Sequence, residues 1–252
     1  LAQFAYVASR DLQEPLRKIV TFSTRLKDRF IDLIPEQGRE YIEKINSSAE
    51  RMRNLIDDLL NFSRISTFDK KFIKTDLNKV LMDVLGDFDL LIQERNAVVN
   101  VDRLPILEAI PLQMNQLFNN LLGNALKFTS HSDVPTISVK CRPLYEGDLK
   151  NYKQLEKSTQ YYEICFIDNG TGFPQEFADQ IFVIFQRLND KEDYPGTGIG
   201  LALCRKIVRN HRGEIVAKSE EGKGATFYLI LPVKQSATTE SRNSDNGLSE
   251  EV

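Results

Sequence analysis

No stretch of the 252-residue sequence stays apolar for the roughly 18 residues that a membrane-spanning helix requires, and no charged-then-apolar leader opens it. Cysteine is scarce: Cys141, Cys165 and Cys204 are odd in number and far apart, with no CxxC and no adjacent histidine. That argues against a disulfide framework or a zinc site and for a reduced, cytosolic setting. An excess of one charge is also missing. Lys and Arg are dispersed among acids at a net charge of -3, so no field gathers nucleic acid or anionic lipid, and neither is expected as a partner. Internal repeats and catalytic-triad spacings are absent as well. What is present is 41% hydrophobic residues, enough for one or two domains with a core in each.

The first residues have neither cap nor breaker, so Leu1 is expected to sit inside a helix that began earlier, in a fragment of a longer protein. Ala5, Ala8, Leu12, Pro15, Ile19, Phe22 and Leu26 then recur at alternating spacings of three and four, the seam of a bundled helix. After a proline-containing change of phase at 31 to 36, Tyr41, Ile45, Ser48, Met52, Leu55, Leu59 and Phe62 resume the rhythm. Phe4, Leu16, Phe30, Ile42, Ala49, Ile56 and Leu60 widen both stripes beyond what one partner helix covers. A homodimeric four-helix bundle buries such stripes by pairing the same surface with itself; the alternative is a hairpin lying on the second domain. With Ala5 and Ala8 at a and d, Arg10 falls at f, facing solvent, and Pro15 should bend the helix just beyond it.

A polar link ("STFDKKFIKT") precedes a change to mixed helices and strands. Helices are expected at 76 to 93, 111 to 128 and 198 to 211. Strands are expected at "AVVNVD", 135 to 142, 161 to 167, "GEIVAKSE" and "GATFYLILP", with a long loop between the second and third. This is a helix layer on a mixed, mostly antiparallel sheet, so the class is α+β and multidomain. The expected divisions are a hairpin at 1–67, a linker at 68–75, an α/β domain at 76–234 and a disordered polar tail at 235–252.

Three polar features resist a purely structural account. Asn120, Asn124 and Lys127 share one face of an otherwise apolar helix, although asparagine is a mediocre helix former. Carboxamide oxygens suit a hard cation such as Mg²⁺ and a lysine suits phosphate, while a polar surface stripe is the plainer alternative. In "YYEICFIDNGTGFP" a strand ends at Asp168, and Gly170 and Gly172 permit close approach of a ligand, as an ordinary turn also would. In "YPGTGIGLALCRKIV", Gly196, Gly198 and Gly200 lead into a helix, a weak anion-site signal alone.

Taken in order, the paired asparagines, DNGTG and GTGIGLAL resemble the N box and two glycine boxes of sensor histidine kinases, with "IFVIFQRL" similar to the aromatic box between them. "FAYVASRDLQEPLRKI" resembles the phosphoacceptor helix. The resemblance implies a dimeric four-helix-bundle hairpin followed by a two-layer α/β sandwich ATP-binding domain. It implies that Asn124 ligates Mg²⁺, that Asn120 and Lys127 contact the ATP phosphates, and that Asp168 reads the adenine amino group. Gly170 and Gly172 would shape the adenine pocket; Gly196, Thr197, Gly198, Gly200 and Leu201 would belong to the ATP lid and its phosphate contacts. It further implies an upstream sensor domain, a response regulator receiver domain as partner, and a cytoplasmic catalytic core within a protein that can itself be membrane-attached.

One position departs from the pattern. Where the family carries its phosphorylated histidine followed by an acid, this chain has Arg10 and Asp11. A neutral imidazole offers a lone pair, whereas a guanidinium stays protonated and accepts nothing. Self-phosphorylation is therefore expected to be lost. Glu14 stands where many relatives carry a Thr or Asn associated with phosphatase activity, and the remaining histidines, His131 and His211, are expected to be surface or capping residues. A pseudokinase that signals by ATP-gated binding is the alternative function, and a non-kinase ATPase of the same superfamily fits least, lacking the hairpin.

Overall fold

A computed structural model describes residues 2–65, 71–130, 133–152, 155–156, 159–188 and 196–235, without the side chains of 2–11, 64 and 151. Two 29-residue helices, α1 (Ala2–Phe30) and α2 (Glu36–Arg64), form the hairpin, and α1 runs through Pro15 uninterrupted. Their mutual core is narrow: Leu16, Ala49, Ile56 and Leu60 are buried with Val20 beside them. Ser23 bonds to Asn46 across the interface, and Gln13 Nε2 donates to Asp57 Oδ1 at 2.7 Å. The seam residues Leu12, Ile19, Phe22, Leu26, Tyr41, Ile45 and Met52 remain exposed, Phe22 by 60%. The flanking apolar residues thus hold the hairpin together while the expected seam forms a continuous uncovered face.

The α/β domain carries α3 (Leu77–Asp87), α4 (Asp89–Glu94), α5 (Pro111–Lys127) and α6 (Gly200–Asn210). Its five-stranded sheet has the order β2 (Val98–Val101), β4 (Thr136–Leu144), β5 (Tyr161–Asp168), β7 (Gly224–Pro232), β6 (Glu214–Glu220). Only β2 and β4 run parallel. Alternation along β4 and β5 sends Ile137, Val139, Ile164 and Phe166 into one core with Met114, Leu117, Phe118, Leu121 and Leu122 of α5 and Leu203 and Ile207 of α6. On the opposite sheet face a smaller cluster of Leu144, Leu149, Tyr161 and Ile230 lies under the chain that follows β4. There the buried Glu163 accepts from Arg142 Nε at 2.7 Å and from the Tyr152 hydroxyl at 2.9 Å, so the expected long loop is anchored by a satisfied carboxylate.

Three boundaries differ from expectation. The helix expected over 76 to 93 breaks at Phe88, whose ring packs against Gly123 of α5: a Cβ there would stand 3.3 Å from Phe88 Cζ. The expected linker is shorter, because β1 (Ile73–Asp76) pairs antiparallel with β3 (Ile106–Ala109) and Phe72 meets the His211 ring edge-on. Strands of four residues flanked by charged positions carry too little alternation to be read from sequence. Gln235, assigned to the tail, is held: its N–H donates to Glu108 Oε2 at 2.8 Å and its Nε2 to the His211 carbonyl at 3.0 Å. The rest of the expected tail, and His131, lie outside the described residues. Among the described residues no helix is long and apolar enough to cross a membrane.

His211 caps the C-terminus of α6, as one of the two expectations had it, but it is buried rather than a surface residue. It is 1% exposed; Nε2 accepts the Ile110 N–H at 3.0 Å while Nδ1 donates to the Ile207 carbonyl at 2.8 Å. Burial pushes its pKa from 6.5 down to about 4. Because the unfolded chain takes up the proton first, the stability that His211 contributes is complete above its ordinary pKa and is lost as pH falls from 6.5 toward about 4. Replacing it (His211→Ala) strands the Ile110 N–H and opens a cavity, an expected loss of about 2–4 kcal/mol in urea unfolding at pH 7. The same variant should flatten the acid limb of the stability curve.

Candidate nucleotide site

The three polar features that are far apart in sequence meet in one cavity of about 510 Å³, a size that suits a bound small molecule. Its wall includes Asn120, Asn124, Lys127, Asp168, Gly172, Gly196, Thr197, Gly198, Gly200 and Leu201. Gly170 stands immediately behind it, donating its N–H to Asp168 Oδ1 at 2.9 Å. Helix α5 supplies the first set because its apolar residues face the sheet and leave positions 120, 124 and 127 toward the opening. Asn120 Nδ2 donates to the Gln116 carbonyl at 2.8 Å, which turns its oxygen toward Gly200: a Cβ there would lie 2.6 Å from Oδ1. The side chain of Asn124 lines the cavity and takes no hydrogen bond among the described residues, so its carboxamide is available to a ligand.

Lys127 approaches the lid so closely that a Cβ on Gly196 would stand 2.7 Å from Nζ. Desolvation, reinforced by the Arg187 guanidinium, pulls the ammonium below the ordinary lysine range. Two cations held together in a partly dry pocket favour an anion between them. Arg187 escaped the sequence reading; it lines the cavity and its Nη1 donates to the Gly196 carbonyl at 2.7 Å. It stands near the end of "IFVIFQRL", with no feature of its own to single it out. That segment folds back on the lid, the Phe185 N–H donating to the Gly198 carbonyl at 3.0 Å, with Phe185 at φ 66.

Asp168 ends β5. Its Oδ1 accepts from the amides of Gly170 at 2.9 Å and Ala225 at 3.2 Å. Burial nevertheless holds the carboxyl above the usual carboxylate range, the two amides only partly offsetting it. With one oxygen fixed, the other is left as an oriented acceptor at the cavity wall. The turn behind it requires glycine: Gly172 has φ +61 and a Cβ there would meet the Glu220 carbonyl oxygen at 2.2 Å.

The hairpin also reaches the cavity. Asn54, Asp57 and Asp58 of α2 line it, and Thr197 Oγ1 donates to Asp58 Oδ2 at 2.6 Å. Arg10 and Asp11 belong to α1, but their side chains lie outside the described residues.

The fold is an α/β sandwich with a small-molecule-sized cavity that gathers a glycine-rich loop, a lysine–arginine pair and a buried carboxylate, joined to a two-helix hairpin. Residues 109–235 match the family described as "Histidine kinase-, DNA gyrase B-, and HSP90-like ATPase", and residues 1–68 match "His Kinase A (phospho-acceptor) domain". The chain belongs to the histidine kinase family, as a sensor-kinase catalytic core. It is 38% identical over 98% of its length to cyanobacterial phytochrome A of Nostoc sp., of which it covers 31%. It is 34% identical over 92% of its length to the phytochrome-like protein Cph1 of Synechocystis sp., of which it covers 29%. The chain thus spans under a third of either relative. In fold it is similar to full-length ShkA, solved in complex with AMPPNP, with a TM-score of 0.67 and 19% identity over 94% of this chain and 47% of that one.

Proposed function

We propose that the cavity binds Mg-ATP, with Asp168 accepting from the adenine amino group, Asn120, Lys127 and Arg187 contacting phosphate, and Asn124 holding the metal. The convergence of Asn120 to Lys127, Asp168 and Gly196 to Leu201 on one cavity carries this reading. Mg²⁺ would be held by the free carboxamide oxygen of Asn124 and would neutralise phosphate charge when bound. The whole protein would transfer the γ-phosphate to a hairpin histidine and on to a response regulator receiver domain, under an upstream sensor domain, on the cytoplasmic side. In this chain Arg10 occupies the acceptor position, so self-phosphorylation there is lost. The AMPPNP complex named for the ShkA structure is in keeping with the nucleotide assignment. Titration with a fluorescent ATP analogue and MgCl₂ tests it: saturable binding weakened by EDTA is expected, and no binding would reject it.

Arg10 favours a second reading, a pseudokinase acting as an ATP-gated dimeric module. Nucleotide binding with no phosphate reaching a histidine-bearing partner subunit would select it.

The uncovered hairpin seam supports a homodimer through this face. Ile19, Phe22, Ile45 and Met52 are each about half exposed, and a four-helix bundle would remove them from water. A double substitution, Phe22→Lys with Ile45→Lys, should convert the dimer to monomer in light scattering, with affinity lowered by at least about a hundredfold. The intramolecular core at Leu16 and Ile56 is untouched by that change.

A further inference from the structure

We propose that α2 carries a latch which competes with the triphosphate for the lid: Asn54, Asp57 and Asp58 close over the cavity, Phe62 holds α6 one turn beyond it, and nucleotide binding must release the grip. The proposal rests on the nucleotide assignment above. Positions 54, 58 and 62 recur at i, i+4 and i+8 and so lie along one stripe of α2. Asp58 Oδ2 accepts from the lid hydroxyl of Thr197 at 2.6 Å. One turn further, Lys206 of α6 donates to the Phe62 carbonyl at 2.5 Å with its ammonium 4.0 Å from the Phe62 ring centroid. The described C-terminal part of the lid is therefore held twice, at Thr197 by a carboxylate and through its following helix by a carbonyl near the end of α2. Below them Ile65 joins the main core, so the grip continues into packed apolar contact.

Charge makes the grip and the ligand exclusive. Asp57 and Asp58 both line the cavity that holds Asn124, Lys127 and Gly196. A triphosphate drawn to Lys127 and Arg187 brings several negative charges against these carboxylates, and like charges in a partly desolvated site repel strongly. Burial raises the Asp58 carboxyl and Asp57 adds to the shift, the hydrogen bond from Thr197 only partly offsetting them, so this carboxylate is held in place at a cost. Asp57 is fixed in turn by Gln13 of α1, three residues from position 10, which ties the latch to the acceptor helix. A ligand with differential affinity for released and latched forms shifts their populations; binding of ATP thereby frees the hairpin from the lid. The device lets the ATP domain stay parked on α2 until nucleotide arrives.

The test titrates the fluorescent ATP analogue with MgCl₂ into the full chain and into Asp58→Ala, Asp58→Asn and Lys206→Ala. If the latched form outweighs the released one by about nine to one, removing the latch tightens apparent affinity about tenfold. Asp58→Ala and Lys206→Ala are both expected to tighten it, the latter without touching the cavity. Asp58→Asn, which keeps an acceptor for Thr197 but drops the charge, should fall between. Unchanged affinity in Lys206→Ala would overturn the latch and leave only local repulsion by Asp58; weaker binding in Asp58→Ala would overturn it as well. Absence of binding in every form, wild type included, would instead reject the nucleotide assignment and the latch with it.

Discussion

Incubated with Mg²⁺ and γ-labelled ATP, an Arg10→His variant is expected to acquire acid-labile phosphate, whereas the chain carrying Arg10 acquires none. The difference is one of chemistry. An attacking group must hold a lone pair at the moment of transfer; imidazole near its pKa does, and guanidinium, protonated throughout the accessible pH range, does not. Loss of a nucleophile costs on the order of 10⁶ in rate where it has been measured in an enzyme that depends on one. Asp11 directly follows and is retained, so the restored histidine would meet the acid neighbour that orients it or takes its proton. A second arm mixes the Arg10 chain with an Arg10→His, Asn124→Ala subunit, which has an acceptor but an impaired metal position. Label on that subunit shows transfer from the Arg10 chain's ATP site across the dimer. Acid-labile phosphate on the Arg10 protein itself would refute the assignment of position 10.

The same position marks the limit of what sequence could deliver. The first helix was legible from its three-and-four spacing, and so was its seam, which stays exposed at Phe22 and Ile45. The cavity residues on α5 were legible because asparagines cost helix propensity inside an apolar run. Arg187 and the α2 carboxylates were not, because nothing local sets them apart: an arginine after an aromatic segment and an Asp-Asp pair on a charged helix look like ordinary surface. They come to line the cavity only when the chain folds α2 and "IFVIFQRL" onto the lid, a long-range outcome with no periodic signature. His211 was legible only in part, for the matching reason. A histidine at a helix end reads as a cap, and only the arrival of the Ile110 amide, 101 positions away in sequence, makes it a buried acceptor.

Asp168→Asn is expected to be more stable than wild type and to lose ATP, an opposition that follows from one oxygen atom. In the native protein Oδ1 accepts from Gly170 and Ala225, and an asparagine carbonyl can take over both bonds. Burial raises the folded-state pKa of Asp168 above its ordinary value, so the protonated form is the one that folding favours. Stability from this group is therefore complete below the ordinary aspartate pKa and declines as pH rises through the raised one. At neutral pH the neutral amide removes that penalty, and melting should move up by a few degrees. The other atom reverses the binding. Where carboxylate Oδ2 accepts from an exocyclic amine, the amide NH₂ can only donate, leaving two donors opposed. Affinity for the ATP analogue should fall about 10–100-fold, the worth of a buried hydrogen bond to a charged group plus the group left unpaired. Guanine presents an acceptor at the corresponding ring position, so the GTP analogue should lose far less, or gain. Parallel melting curves and titrations with both nucleotides decide it. A variant that melts higher and still prefers ATP would mean that Asp168 shapes the pocket without reading the base.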